Sequence, residues 1–295
     1  SPSGGAVGSS VTITGYGFGN GETGISVNYD GAAVASSITA TAQGSWSSTV
    51  TIPASASGFR TITATGPSNT ATTSFSVTPK IISNRASGAP GNSVTITGTG
   101  FSASETGITV TYDGTAVTTV PPSLSANAKG GWTATFVVPA SPSGPHTIDS
   151  YGSSTLVSSV PELTFTTSAG ISANHPSAAP GSSVTITGSG FSAGETGITV
   201  TYDGNPIASV DSADASGGWK ATFTVPTSPA GSHVIDASGS STPATTISDL
   251  TFSVTAGIST SRAGATPGSS ITITGSGFGA GETGITISYD GATVT

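Results

Sequence analysis

The chain has 295 residues, of which only 7% are charged, and its 6 basic and 14 acidic residues give a net charge of −8. The basic residues are scattered singly, which excludes the clustered Lys and Arg of a nucleic-acid-binding surface. There is no cysteine, and no apolar run approaches the ~18 residues of a spanning helix. Neither disulfide staples nor membrane insertion of this segment are therefore expected.

One block of sequence occurs four times and sets the predicted domain organisation. The copies begin 83, 90 and 87 residues apart (91−8, 181−91, 268−181), a period that suits one small β-domain better than a solenoid turn. The four blocks are Gly8–Phe18, Gly91–Phe101, Gly181–Phe191 and Gly268–Phe278. We predict repeat 1 over residues 1–78, repeat 2 over 79–167, repeat 3 over 168–255 and the N-terminal part of a repeat 4 over 256–295.

Repeat 3 illustrates the predicted strands in chain order. Val, Ile and aromatic residues alternate there with Thr and other polar residues, which indicates half-buried strands. The predicted strands are Gly170–Asn174, Ser183–Thr187, Ile198–Tyr202, Trp219–Val225, His233–Ala237 and Leu250–Val254. Asp203-Gly204 is a tight-turn signal. Roughly seven short strands per unit, without helical periodicity, predict an all-β fold of tandem antiparallel β-sandwiches.

The block Gly-x-x-Val-Thr-Ile-Thr-Gly-x-Gly-Phe closely resembles the opening of IPT/TIG-type immunoglobulin-like domains, which are common in bacterial surface proteins and adhesins. The later Gly-x-His-x-Ile segments at Gly144 and Gly231 fall where that family has its penultimate strand. The resemblance implies an immunoglobulin-like fold and a surface or structural setting. It supplies no catalytic residues, because the family has none in common.

Several residues recur at equivalent positions, and we expect them to have structural roles. A Trp that opens an alternating strand is expected to be the largest core residue, and the Phe that closes each block is expected beside it. A Glu precedes each Tyr-Asp-Gly turn by seven residues and is expected to accept loop N–H groups. These residues are Trp46, Trp132, Trp219, Phe18, Phe101, Phe191, Phe278, Glu22, Glu105, Glu195 and Glu282.

Candidate chemistry is sparse. The pairs Asp149 with Glu162 and Asp236 with Asp249 are equivalent in repeats 2 and 3 and are the candidate ligands for calcium, although Ca²⁺ prefers six to eight oxygens. The basic residue of the penultimate strand is His146 or His233 in those repeats, and we expect it to be exposed. No Ser, His and acid recur as a triad would require, so we predict no enzyme, no cofactor and no resident metal.

The ends and junctions of the repeats suggest two arrangements. Repeat 1 lacks the strand that begins at Ile81, Ile171 or Ile258 in later copies, and repeat 4 ends just after Tyr289. Either the chain is a window on a longer array, or its incomplete ends complement one another between subunits by strand addition. Very short junctions predict a semi-rigid, elongated rod in both cases.

These patterns together predict a structural repeat protein that forms an extracellular stalk, fibre or filament on a microbial surface. Its expected partners are copies of itself along a fibre or the neighbouring repeats of a longer chain. Two explanations stay open for the abundant Ser and Thr on the outward strand faces: either they are there as good β-formers, or they carry O-linked glycans. The alternative is an adhesin-type binding module that recognises a host protein or glycan through its sandwich loops.

Overall fold

The structure is a computed structural model, and it describes residues 2–294. It divides into unit 1, which comprises Ser1–Pro139 with Pro145–Thr166, and unit 2, which comprises Ala140–Gly144 with Thr167–Thr295. Across the described residues the regular structure is β, apart from 3₁₀ turns at Val157–Ser159 and Ala244–Thr246. None of the helical segments in this range is long and apolar enough to cross a membrane. The predicted all-β class is confirmed.

Seven strands are described in repeat 1 and ten in repeat 2. In repeat 1 they are β1 (Gly4–Ala6), β2 (Ser10–Gly15), β3 (Ile25–Tyr29), β4 (Ala32–Ile38), β5 (Trp46–Thr51), β6 (Gly58–Thr65) and β7 (Thr70–Thr78). In repeat 2 they are β8 (Lys80–Ser83), β9 (Ser87–Gly88), β10 (Ser93–Thr99), β11 (Thr106–Tyr112), β12 (Thr115–Ala116), β13 (Thr119–Val120), β14 (Leu124–Ser125), β15 (Trp132–Val137), β16 (Gly144–Tyr151) and β17 (Leu163–Thr167).

Eight strands form repeat 3, and four short ones are described in repeat 4. Those of repeat 3 are β18 (Gly170–Ala173), β19 (Ser177–Ala178), β20 (Ser183–Ser189), β21 (Thr196–Tyr202), β22 (Asn205–Ser212), β23 (Trp219–Thr224), β24 (Gly231–Ser238) and β25 (Leu250–Val254). Those of repeat 4 are β26 (Gly257–Thr260), β27 (Ile273–Ser276), β28 (Ser288–Tyr289) and β29 (Ala292–Thr293).

Each of the first three repeats contains two sheets. In repeat 3 the strand orders are β18-β20-β23 and β19-β25-β24-β21-β22, and in repeat 2 they are β13-β15-β10-β8 and β12-β11-β16-β17-β9. Repeat 1 has the larger sheet, β1-β7-β6-β3-β4, and within residues 2–294 its other sheet consists of β2 and β5. The apolar faces of both sheets meet in one buried core per repeat, as expected for sandwiches.

Two strands of repeat 3 were not predicted. β22 contains Pro206 and lies at the edge of its sheet, where burial on one face does not enforce strict alternation. β19 has two residues, too few for a periodic signal. The predicted antiparallel sandwiches also contain a short parallel pairing, because β19 pairs in parallel with β25, as β1 does with β7.

A tryptophan packed over a glycine lies at the centre of each of the three cores. Trp219 on β23 is directly opposite Gly188 on β20, and a Cβ at Gly188 would overlap the indole ring. Phe191 meets the same indole edge to face, with ring centroids 5.3 Å apart. The pairs Trp46 with Gly15 and Trp132 with Gly98 repeat this arrangement. The glycine therefore provides the space that the indole fills.

We expect Gly188→Ala to destabilise repeat 3 by about 2–3 kcal/mol, because the added methyl forces the Trp219 ring from its place in a closely packed core. Urea unfolding of the full chain measures this as an early transition of one repeat. Gly264→Ala is the matched control, since a Cβ there meets open space. Equal midpoints for the two variants would contradict the packing argument.

Candidate functional site

The Tyr-Asp-Gly motif forms the turn between two strands of the larger sheet. Asp203 has a φ of 48° and Gly204 a φ of 77°, which is the left-handed conformation that Asp-Gly hairpin turns favour. The carboxylate of Asp203 then reaches the penultimate strand, where its Oδ1 accepts the Val234 N–H at 2.9 Å. Asp30 and Asp113 accept the N–H groups of Thr61 and Thr147 at the same distance.

The second carboxylate oxygen binds a basic side chain on that strand. Asp203 Oδ2 lies 2.7 Å from His233 Nδ1, and Asp113 Oδ2 lies 2.7 Å from His146 Nδ1. In repeat 1 the partner is Arg60, whose guanidinium is 3.6 Å from Asp30. The expectation that His146 and His233 are exposed was wrong: each ring is largely buried and stacks on the tyrosine of the same motif, 5.0 Å between centroids.

The basic residue also binds the loop that precedes its strand, which we call the junction loop (residues 53–57 in repeat 1 and 226–230 in repeat 3). Arg60 donates to the Ala56 carbonyl at 2.6 Å, and His233 Nε2 lies 3.0 Å from the Pro229 carbonyl. The motif tyrosine holds the same loop, since Tyr202 Oη is 2.8 Å from Ser228 Oγ. Tyr29 and Ser55 make the equivalent bond at 2.7 Å.

The junction loop contacts the block of the following repeat. Within unit 1, Ser57 donates its N–H to the Phe101 carbonyl at 3.0 Å, and its hydroxyl lies 3.3 Å from that of Ser102. Within unit 2, Ala230 donates its N–H to the Phe278 carbonyl at 3.2 Å. The turn, the basic residue and the junction loop therefore form one hydrogen-bonded path to the next repeat, which we call the junction brace.

Electrostatics favour the charged form of His233. Burial disfavours the imidazolium, but the Asp203 carboxylate and the Pro229 carbonyl outweigh it and raise the pKa of His233 above its usual value. Both ring nitrogens face acceptors, an arrangement that the doubly protonated ring satisfies. The hydrogen bond from His233, with that from the Val234 N–H, lowers the pKa of Asp203. The brace of repeat 3 is thus strongest when the pair is ionised.

The recurrent glutamate closes a second loop. Glu195 is buried and accepts the N–H groups of Ser192, Ser241 and Thr242 at 2.6–2.9 Å. Burial raises the pKa of Glu195, but the Thr242 hydroxyl and these N–H groups outweigh it and hold that pKa below its usual value. Glu105 makes the equivalent bonds.

The other two copies of this glutamate have fewer partners. Glu22 accepts from the Gly19 and Ser68 N–H groups, and the Ser68 bond contributes most to lowering the pKa of Glu22. Glu282 is exposed and accepts the Gly279 N–H at 2.7 Å. The number of bonds therefore increases with burial of the carboxylate.

The four calcium candidates lie on or just before the last two strands of their repeats: Asp149 on β16, Glu162 before β17, Asp236 on β24 and Asp249 before β25. Asp149 and Asp236 each accept the N–H of the next residue at 2.7 Å. Burial raises the pKa of Asp149, and the nearby charge of Glu162 adds to it. Among residues 2–294, no three His, Cys, Asp or Glu side chains gather as a metal site would require. Asp249 is exposed.

Glu195→Gln is expected to destabilise repeat 3 by about 1–3 kcal/mol, because the amide NH₂ faces buried N–H donors that the carboxylate satisfied. Since the folded pKa of Glu195 is lowered, its contribution is present above the unfolded pKa and is lost as pH falls through the folded value. Urea midpoints between pH 3 and pH 6 test both points. Asp249→Asn, at an exposed carboxylate, is the control and should change the midpoint little.

The raised pKa of His233 predicts the opposite pH dependence. Its contribution is fully present below the unfolded pKa of ~6.5 and is lost as pH rises through the folded value. We expect this loss of folding stability to be about 0.5 kcal/mol, because the pair is partly exposed. His233→Arg, which places the repeat 1 residue in repeat 3, should remove the loss. The reciprocal Arg60→His should introduce the same loss in repeat 1. Identical pH profiles for wild type and His233→Arg would contradict the assignment.

Comparison with known structures finds tandem β-domain proteins of low identity. FdeC, an Escherichia coli adhesin, is 15% identical over 86% of this chain and 95% of its own, with a TM-score of 0.26. SGBP-B of the Bacteroides ovatus mixed-linkage glucan utilization locus is 14% identical over 89% and 67%, with a TM-score of 0.32. Invasin, a bacterial integrin-binding protein, is 15% identical over 84% and 60%, with a TM-score of 0.24.

At these identities and TM-scores, similarity to these structures supports no conclusion about function. No curated protein matches the chain. The family model of the IPT/TIG domain, however, matches residues 1–81, 76–167 and 166–255, which confirms the resemblance found in the repeated block. The chain therefore belongs to the IPT/TIG family, as a tandem array of immunoglobulin-like domains.

Proposed function

We propose that the chain is a structural segment of an extracellular stalk, fibre or filament on a microbial surface, where it sets distance and transmits force. The observation that carries this proposal is the junction brace. In it the Ser57 N–H, held by Arg60 through the junction loop, binds the Phe101 carbonyl of the next repeat. These contacts hold a loop against the neighbouring repeat, and they add nothing to the buried core of their own repeat.

The connections between strands support the same role. A single residue, Pro79, separates β7 from β8, and two residues separate β25 from β26. The last strand of one repeat therefore continues almost directly into the first strand of the next. Connections this short restrict independent motion of neighbouring domains. Load applied along the chain would pass through strands and the brace rather than through a flexible linker.

The surface setting is proposed from the family, which is common in bacterial surface proteins. Exposed Thr pairs on the smaller sheets, such as Thr185 with Thr222, are positions where O-linked glycans would be accommodated without disturbing the core. Thr is also frequent at such positions because it is a good β-former. Mass spectrometry of the native protein distinguishes glycosylated Thr from Thr that is present only for its β-propensity.

The alternative function is adhesion through sandwich loops or exposed side chains. Two aromatic residues of repeat 1 favour it, because Tyr16 is 74% exposed and Phe59 is 79% exposed. The equivalent positions in repeats 2 and 3 carry Thr99 and Ser189 for Tyr16, and Pro145 and Ser232 for Phe59. Phe59 lies on β6 and Tyr16 directly follows β2, so the two rings lie in different segments of repeat 1.

The structural role is tested by the width of the distance distribution between spin labels at Thr49→Cys and Thr133→Cys, one in each of repeats 1 and 2. The chain has no other cysteine, so labelling is specific. We expect a narrow distribution that broadens in Arg60→Ala, because the junction loop loses its donor. Arg60→His, the residue of repeats 2 and 3, should keep it narrow at pH 6.

A broad distribution in the parent protein would overturn the role of a force-transmitting spacer. Saturable binding to one member of a panel of glycans and matrix proteins, abolished by Phe59→Ala, would instead establish the adhesin alternative. Retention of that binding in Phe59→Ala would leave the exposed ring without a role in adhesion.

A further inference from the structure

A cavity lies at the junction of repeats 1 and 2, within unit 1, and has a volume of about 280 Å³. That volume is close to the lower end of the ~300–1,000 Å³ of small-molecule sites, so it suits one ring-sized group. Repeat 1 contributes the turn at Asp30, the junction loop and Arg60, and repeat 2 contributes Lys129. The cavity therefore combines charged side chains from both repeats.

The loop that carries Lys129 is held against the junction loop. The side-chain oxygen of Asn127 accepts the N–H groups of Lys129 at 2.8 Å and of Gly131 at 3.1 Å. Gly130 lies so close to the junction loop that a Cβ on it would be 3.0 Å from Ala56 Cα. Lys129 is exposed, and in the described part of the chain no carboxylate forms an ion pair with its ammonium. The backbone thus fixes Lys129 beside the cavity, and its charge is free to bind a ligand.

The pair of Asp30 and Arg60 has a gap that the histidine repeats do not have. Asp30 Oδ2 and Arg60 Nη1 are 3.6 Å apart, which is too long for a hydrogen bond. In repeats 2 and 3 the corresponding oxygen and histidine nitrogen are 2.7 Å apart. The other nitrogens of Arg60 already donate to the Ala56 and Ser57 carbonyls. One carboxylate oxygen and one N–H-bearing nitrogen beside the cavity therefore have hydrogen-bonding capacity that no described residue uses.

The charges at this junction are not those of the other repeats. The position of Lys129 carries Gln43 in repeat 1 and Ser216 in repeat 3. The position of Arg60 carries His in repeats 2 and 3. Two cations and one carboxylate line the cavity, which leaves positive charge in excess there although the whole chain has a net charge of −8. The cavity therefore attracts an anionic group against the charge of the chain.

We propose that this cavity binds a hexuronate residue of an acidic polysaccharide. A ring hydroxyl donates to Asp30 Oδ2 and accepts from Arg60 Nη1, which closes the gap between them. The hexuronate carboxylate binds the Lys129 ammonium through a charge-assisted hydrogen bond. Since these groups come from two repeats, the sugar adds a bridge beside the junction brace. The inference goes beyond the proposed spacer function, because it adds a ligand to the junction.

The geometry favours a sugar over an acidic peptide. The group between Asp30 and Arg60 has to donate to one side chain and accept from the other, as a hydroxyl does. An ionised Asp or Glu of a peptide only accepts, so it would bring a second carboxylate to Asp30 without a donor for it. A sugar that carries both hydroxyls and a carboxylate satisfies Asp30, Arg60 and Lys129 together.

Titration of the isotopically labelled full chain with sodium glucuronate, followed by the NMR shifts of its amides, tests the proposal. We expect saturable shifts at Thr61, whose N–H binds Asp30, and at Lys129. Glucose lacks the carboxylate, and acetate lacks the hydroxyls. Each should bind at least about fivefold more weakly than glucuronate, because each loses a hydrogen bond to a charged group.

Matched variants distinguish a specific site from general attraction of anions. Lys129→Ala should weaken glucuronate binding about fivefold or more. Lys220→Ala removes the same charge from an exposed position on β23 of repeat 3 and should leave binding unchanged. Asp30→Asn keeps the turn, since Asn-Gly favours the same hairpin, but its NH₂ would face the ligand hydroxyl and Arg60, so binding should weaken. General attraction predicts the opposite for Asp30→Asn, because this change removes a negative charge.

Equal affinities for glucuronate and acetate would overturn the proposal, as would tighter binding by Asp30→Asn. Unchanged shifts at Thr61 and Lys129 would overturn it too. An affinity for N-acetylglutamate equal to that for glucuronate would overturn it in favour of an acidic peptide. The spin-label distances between repeats 1 and 2 are measured without sugar, so binding can fail while the spacer function stands.

Discussion

Each of the first three repeats depends on an indole ring lying against a strand that has no side chain at the point of contact. The Trp219 ring covers Gly188 and meets Phe191 on its edge, so a strand, the loop after it and the facing strand are joined in one place. An alanine at Gly188 would occupy the volume of the ring itself. The repeated block is thus a packing requirement: its glycine makes room and its phenylalanine closes the space.

This arrangement leaves a buried indole N–H unpaired in each of the three repeats. The indole N–H groups of Trp46, Trp132 and Trp219 are buried and have no hydrogen-bond partner, although a buried donor usually finds one. The edge-to-face contact with the block phenylalanine is the compensation that the geometry provides. That the same unpaired donor occurs in three repeats indicates that ring volume, rather than hydrogen bonding, decides this position.

Charge in this chain is used sparingly and at fixed places. Four turn aspartates and four loop glutamates account for eight (4 + 4) of the 14 acidic residues. The glutamate carboxylates accept loop N–H groups, and three of the turn aspartates, Asp30, Asp113 and Asp203, pair with a basic residue. Most of the acidic charge therefore organises loops, which fits a protein whose faces are Ser and Thr rather than ion pairs.

The sequence by itself determined the all-β class, the four-fold repeat and most strands of repeat 3, because alternation and turn residues are local signals. It also pointed to Glu195 and Asp203, since both recur at fixed spacing. It did not reveal that His233 joins Asp203 to the junction loop. Those groups are about 30 residues apart, and their meeting depends on how β24 pairs with β21.

Only the tertiary structure decided which strands lie at sheet edges and which side chains are buried. The short strand β19 and the edge strand β22 are both defined by the strands they pair with, and pairing between distant strands leaves no periodic trace in either one. The half-burial of Ile13 against the full burial of Ile96 and Ile186 is visible only once the strands are in place. Local patterns specify the elements, and the packing of distant elements specifies the surfaces at which they act.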